Sequence, residues 1–220
     1  TIECTQRLVP LFSRSFEGAE VHAAPYLPAE NGLRSYDFQS SFPSLGQYFR
    51  GTVKDFPSID DEYIYLKADP SQKAHWKKQL KSISDKPKIG LCWSSNLVKE
   101  EFEHFYASIH DMKTLLSLVG VDFICLVPSD VDDDITKALR KYGVTIHVMK
   151  GLDLKQDIDG VAALLSSLDI VVSCLSTVTE LAGALGVRTI GFIGESSHPD
   201  WMGTDDVLWF PNTHYHAKQK

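Results

Sequence analysis

The chain has 220 residues, 43% of them hydrophobic and 23% charged, with 29 acidic against 22 basic side chains and a formal net charge of -7. That is the composition of a globular chain with ample core, one large domain or two small ones. Its negative charge excludes a sequence-blind nucleic-acid surface, and no apolar run is long enough to span a bilayer. Four cysteines (Cys4, Cys92, Cys125 and Cys174) form no CxxC pair. They offer no zinc cluster and read as reduced core thiols in a reducing, cytoplasmic compartment. Thr1 is not an initiator Met and no signal peptide precedes the first strand, so a processed or excised fragment is expected.

In the first 70 residues, strands are expected at 1–4 and 20–23 around a helix at 5–12. Breakers then crowd the chain (Pro25, Pro28, Gly32, Pro43, Gly46, Gly51, Pro57), with a short strand at 37–38. Residues 1–70 read as a partial α/β domain. The spacing of Trp76, Leu80 and Ile83 predicts an amphipathic helix over 71–82, in a linker covering 71–87.

From Lys88 the pattern becomes regular. Short apolar runs at 88–92, 121–126, 145–148, 170–172 and 189–193 alternate with helices near 109–118, 133–142, 159–167 and 178–185. The runs lack alternation, as strands buried on both faces do. Gly120, Gly143 and Gly186 stand at three helix ends, where glycine is favoured. The fold class is therefore α/β: a Rossmann-like doubly wound parallel sheet over 88–220, preceded by the partial second α/β domain.

Such sheets bind ligands at the carboxyl ends of their strands. Trp93, Ser94, Ser95 and Asn96 follow the first strand of the regular part and fall at that edge. So do Ser173, Ser176 and Thr177, between an apolar strand and a small-residue helix. A phosphate there would meet helix N-terminal N–H groups and two hydroxyls; plain N-capping would need only one of Ser176 or Thr177. No metal site is expected. The acidic run at 130–134 lacks the glycine and distal glutamate of a calcium loop, and His198, His214 and His216 lie near an end with little predicted structure.

The ordered pieces RLVPLFSRSF, YDFQSSFPSLGQYFR, EYIYLKADP, KIGLCWSS, VDFICLV, AALLSSLDIVVS, LAGALGVRTIGFI and DWMGTDDVLWFP resemble GT-B glycosyltransferases. The group in question is the glycosyltransferase-like domain that follows tetratricopeptide repeats in bacterial proteins, related to ADP-heptose heptosyltransferases and more distantly to protein O-GlcNAc transferases. The resemblance makes the regular part the C-terminal GT-B half and residues 1–70 an acceptor-side domain. It implies a nucleotide-diphosphate sugar as donor substrate with no further cofactor. It also implies a protein or glycan acceptor, tetratricopeptide repeats upstream, and donor contacts from Trp93, Ser94, Ser95, Asn96, Ser173, Ser176, Thr177, Glu180 and Trp201, the last beside Asp200 and Gly203.

This sequence departs from that family in places. Leu175-Ser176 replaces an Asp-Thr pair, and Glu180 stands where relatives carry His. No Lys or Arg occurs between Glu100 and Met112, where relatives place an Arg, leaving Lys99 or His104 as substitutes. The glycine-rich acceptor loop is missing as well, so no catalytic base is named. These departures predict weak donor binding and support a rival reading, a non-catalytic GT-B-like domain for protein interaction or carbohydrate binding. A receiver or flavodoxin-like domain fits less well, because Cys92-Trp93 and Met149-Lys150 occupy the places of a receiver's acidic residues.

Overall fold

The computed structural model describes residues 1–24, 37–57, 64–95, 106–193 and 208–217. Strand β1 (Ile2–Cys4) leads through a 3-10 turn (Gln6–Leu8) into helix α1 (Val9–Ser15) and strand β2 (Val21–Ala23). The two strands pair in parallel, Glu3 opposite His22, so the opening residues are a small β–α–β unit. Residues 37–38, expected as a strand, are not one; a helix, α2 (Phe42–Phe49), follows them instead. Pro43 sits in its first turn, where the missing N–H costs nothing, so a residue that reads as a breaker starts the helix.

Helix α3 (Pro70–Ile83) is capped by Asp69, whose carboxylate accepts the Gln72 N–H at 2.8 Å. It buries Trp76 and Leu80 on one face, as their spacing predicts. Six parallel strands follow: β3 (Lys88–Cys92), β4 (Asp122–Cys125), β5 (Ile146–His147), β6 (Ile170–Cys174), β7 (Thr189–Ile193) and β8 (Thr213–Ala217). They form one sheet in the order β5-β4-β3-β6-β7-β8. This is the doubly wound order, reversing between β3 and β6. Right-handed crossovers put α4 (Lys113–Leu116) and α5 (Asp132–Tyr142) on one face. They put α6 (Ile158–Leu165) and α7 (Thr177–Ala184) on the other, and α4 touches α5 while α6 touches α1, α3 and α7.

The sixth strand corrects the expectation of an unstructured end around His214 and His216. Its residues alternate, with Thr213 buried and both histidines exposed, as on a strand with one wet face. Gly191 of β7 makes room for it, because a Cβ there would lie within 2.9 Å of the Tyr215 ring. Helix α5 shows the local rules plainly. Three aspartates open it, Arg140 and Lys141 close it, and Gly143 turns left-handed at φ 67° to stop it.

Helix α6 reads IDGVAALL, and every residue but Asp159 is buried. The sheet lies under it, with α1, α3 and α7 packed around it. Leu11 of α1, Trp76 and Leu80 of α3, and Leu164 and Leu165 of α6 belong to one core. Arg14 of α1 pairs with Asp159 and donates to the Lys67 carbonyl at 2.8 Å.

A second ion pair sits inside the sheet's amino edge. Lys88 Nζ lies 2.9 Å from Asp122 Oδ2, their side chains 6% and 11% exposed. Burial pushes the Asp122 carboxyl up, but the Ser84 hydroxyl and the Lys88 ammonium outweigh it, and the net shift is downward. A carboxyl depressed in the folded state stabilises above its unfolded pKa and loses that contribution as pH falls through the folded value. Asp122→Asn is expected to cost about 1–3 kcal/mol at pH 7. Urea denaturation at several pH values should show this difference shrinking below about pH 4, where the wild-type carboxyl protonates too.

Candidate functional site

The strand-order reversal leaves a crevice between the carboxyl ends of β3 and β6, which pair with Cys92 opposite Ser173. A cavity of about 380 Å³ opens there, within the range of small-molecule sites. Its walls are apolar, from Leu154, Ile158, Val161, Val178 and Leu181, with buried Cys92 at the strand end. Its polar lining is Ser94, Ser95, Ser176 and Thr177 together with Arg7 and Lys155. The four hydroxyl residues expected at the ligand edge therefore share one cavity.

Trp93 and Ser173 do not join them. Trp93 is 1% exposed, and its indole N–H donates to Asp134 of α5 at 3.0 Å. Its carbonyl accepts the Ala107 N–H at 2.9 Å, anchoring the returning chain. The backbone alternation that turns Cys92 and Ser94 toward the cavity turns Trp93 into the core. Ser173 is fully buried. It donates to the Cys174 carbonyl at 2.8 Å and accepts from Thr179 Oγ1 at 3.0 Å, which locks the turn from beneath.

Ser176 is the N-cap residue of α7, yet its hydroxyl makes no capping bond. It lies 3.3 Å from Ser173 Oγ and 3.9 Å from Cys92 Sγ. Its carbonyl accepts the N–H groups of Thr179 and Glu180 at 3.0 and 3.2 Å. The first N–H groups of a helix have no partner within it, and α7 starts at Thr177, which lines the cavity. Glu180 is exposed in the first turn of α7 and does not line the cavity. Asn96, Lys99, His104, His198, Asp200, Trp201 and Gly203 lie outside the described residues.

Two cations that line the cavity come from outside the loop after β3. Arg7 reaches it from the 3-10 turn before α1, and Lys155 from the loop before α6. Arg7 Nη1 donates to the Lys155 carbonyl at 2.7 Å. Asp153 fixes that loop by accepting the N–H groups of Lys155 and Gln156 at 2.8 and 2.9 Å, contacts that hold its carboxyl below the usual range. Lys155 was within reach of sequence reasoning, because the loop after β5 also leaves from the ligand edge. Arg7 was not, because it arrives by tertiary docking.

Neither Cys92 nor Cys125 is poised for thiolate chemistry. Cys92 is pushed well up by its hydrogen bond with Cys174 and by burial, and burial pushes Cys125 up to about 11. All four cysteines are free. Among the described residues no group of three or more His, Cys, Asp or Glu side chains is placed to hold a metal ion. No helix among them is long and apolar enough to cross a membrane. A wider groove, about 620 Å³, lies at the opposite edge near Ser84, Asp122 and His147. That is the amino edge of the sheet, and its one buried carboxylate is already paired with Lys88.

No family model matches the chain. It is 33% identical over 222 residues to Protein FlbA of Caulobacter vibrioides, a match covering 94% of this chain and 36% of that protein. The chain thus spans about a third of that relative's length. Among solved structures it is similar to ADP-heptose LPS heptosyltransferase II of E. coli, with TM-score 0.47 and 15% identity over 74% of this chain and 47% of that one. It is similar also to a glycosyl transferase family 9 protein of Veillonella parvula, with TM-score 0.48 and 12% identity over 70% and 42%. E. coli heptosyltransferase WaaC with ADP gives 0.45 and 14% over 67% and 42%.

The two serines of the turn should separate in a stability assay. Ser173→Val removes a buried acceptor of Thr179 and is expected to cost about 1–3 kcal/mol in urea denaturation. Ser176→Ala removes no capping bond and should stay within about 0.5 kcal/mol of wild type.

Proposed function

We propose that this chain is the nucleotide-sugar-binding part of a GT-B-type glycosyltransferase. The observation that carries the reading is the cavity at the β3–β6 reversal. Hydroxyls from two adjacent strand ends and the start of α7 meet there above an apolar wall. An apolar wall suits a nucleoside; hydroxyls and helix N-terminal N–H groups suit its phosphates. With the diphosphate held by such donors, glycosyl transfer to a protein or glycan acceptor needs no metal to stabilise the leaving group. The ordered sequence resemblance points the same way, including its expectation of tetratricopeptide repeats upstream.

A second reading has one observation in its favour. Among the described residues lining the cavity there is no carboxylate and no imidazole. The two commonest bases for an acceptor's proton, a carboxylate and an imidazole, are thus missing from that described lining. A domain that binds a nucleotide sugar or a carbohydrate without turning it over would look the same.

Thermal unfolding with a panel of UDP-, GDP- and ADP-sugars tests the first reading. A ligand at a hundred times its dissociation constant adds about 2.7 kcal/mol, or roughly 5–10 °C in a chain of this size. One member of the panel should produce that shift. No shift with any of them would overturn the nucleotide-sugar reading. A shift without release of sugar, in the presence of candidate acceptors, would favour the second.

A further inference from the structure

We propose that Arg7 and Lys155 provide the positive charge for the anionic end of the cavity's ligand, so that the segment preceding α1 completes the donor site. The inference rests on the nucleotide reading above and deepens it. The expected place for such a cation is the loop after β3, but residues 101–111 contain neither Lys nor Arg, and Lys99 of that loop lies outside the described residues. A nucleotide diphosphate brings two or more negative charges to a chain that already carries -7. Binding it at this edge without a nearby cation would be electrostatically unfavourable.

The geometry supplies two cations from unexpected directions. Arg7 and Lys155 line the same cavity as Ser176 and Thr177. Among the described residues neither lies within ion-pair distance of a carboxylate, and Asp153, two residues before Lys155, attracts its ammonium without pairing with it. One guanidinium N–H is used on the Lys155 carbonyl, at 2.7 Å. That bond fixes the side chain's direction and leaves the rest of its five-donor fork for phosphate oxygens. The Asp153 turn fixes the backbone from which the Lys155 ammonium projects. Arg7 itself is positioned because α1 docks behind it, through buried Leu11 and the Arg14–Asp159 pair.

A purely structural role, tying the 3-10 turn to the loop before α6, is the competing explanation, and affinity measurements distinguish the two. The 220-residue chain and its variants Arg7→Ala, Arg7→Lys, Lys155→Ala and the double alanine are titrated calorimetrically with UDP, ADP, uridine, adenosine and inorganic pyrophosphate. Lys81→Ala on the exposed face of α3 serves as control. Each single alanine should weaken the bound nucleoside diphosphate about ten- to a hundredfold, the double variant more, and Arg7→Lys less than Arg7→Ala. Pyrophosphate should follow the diphosphates, whereas the bare nucleosides should bind all variants alike. Wild-type nucleotide binding with both alanine variants within about twofold would overturn this inference and leave the function reading standing. Equal loss for nucleoside and nucleotide would make the two residues structural and overturn it too. No binding of any nucleotide by the wild-type chain would sink both.

Discussion

Helix α6 is apolar on every side, and much of the molecule follows from that. A helix with one apolar face can lie on a sheet and show the other face to water; a helix apolar all round must be covered twice. Its inner side is covered by the sheet, while α1, α3 and α7 pack around the rest. Helices α1 and α3 are therefore held against α6 and the doubly wound half by hydrophobic burial. The one charged side chain of α6, Asp159, is where Arg14 fixes the orientation of that docking. Because α1 is fixed there, the turn before it falls at the carboxyl edge of the sheet, and Arg7 falls at the cavity.

The doubly wound half was legible in the sequence where burial on both faces wrote continuous apolar runs. The strands β3 and β7 occur at the residues their patterns indicate, and α5 is delimited by its charges and Gly143. What stayed hidden was structure whose pattern is weak or ambiguous. The edge strand β8 reads THYHA, two exposed histidines in five residues, and looks like a polar tail until β7 is there to pair with it. Helix α2 was masked by Pro43 and Gly46, although proline in a first turn is compatible with a helix.

The site was legible to the level of topology and not to the level of side-chain direction. Strand ends and helix starts locate Ser94, Ser95, Ser176 and Thr177 at one edge, because sheet order decides which ends are neighbours. Trp93 and Ser173 sit one step along the same chain segments and face inward. One residue of register separates a lining group from a core group, and polarity alone does not reveal it, since Ser173 is the polar one that is buried. Glu180 illustrates the same limit on a helix: adjacency to the turn did not bring its side chain to the cavity. Arg7 marks the opposite limit, a residue far away in sequence that folding delivers.

The Arg7–Lys155 hydrogen bond has a thermodynamic consequence as well as a geometric one. A long cationic side chain ordinarily gives up rotamer freedom when it meets its ligand, at about 0.5–1.5 kcal/mol. Here the carbonyl of Lys155 takes much of that freedom when the chain folds. For the ligand proposed above, part of the ordering cost thus moves from recognition to folding. The transfer is reciprocal: whatever free energy the docked segment lends to the ligand, the ligand returns to the docking of that segment. If a ligand binds through Arg7 as proposed, occupancy of the cavity and attachment of the first helix are two readings of one equilibrium.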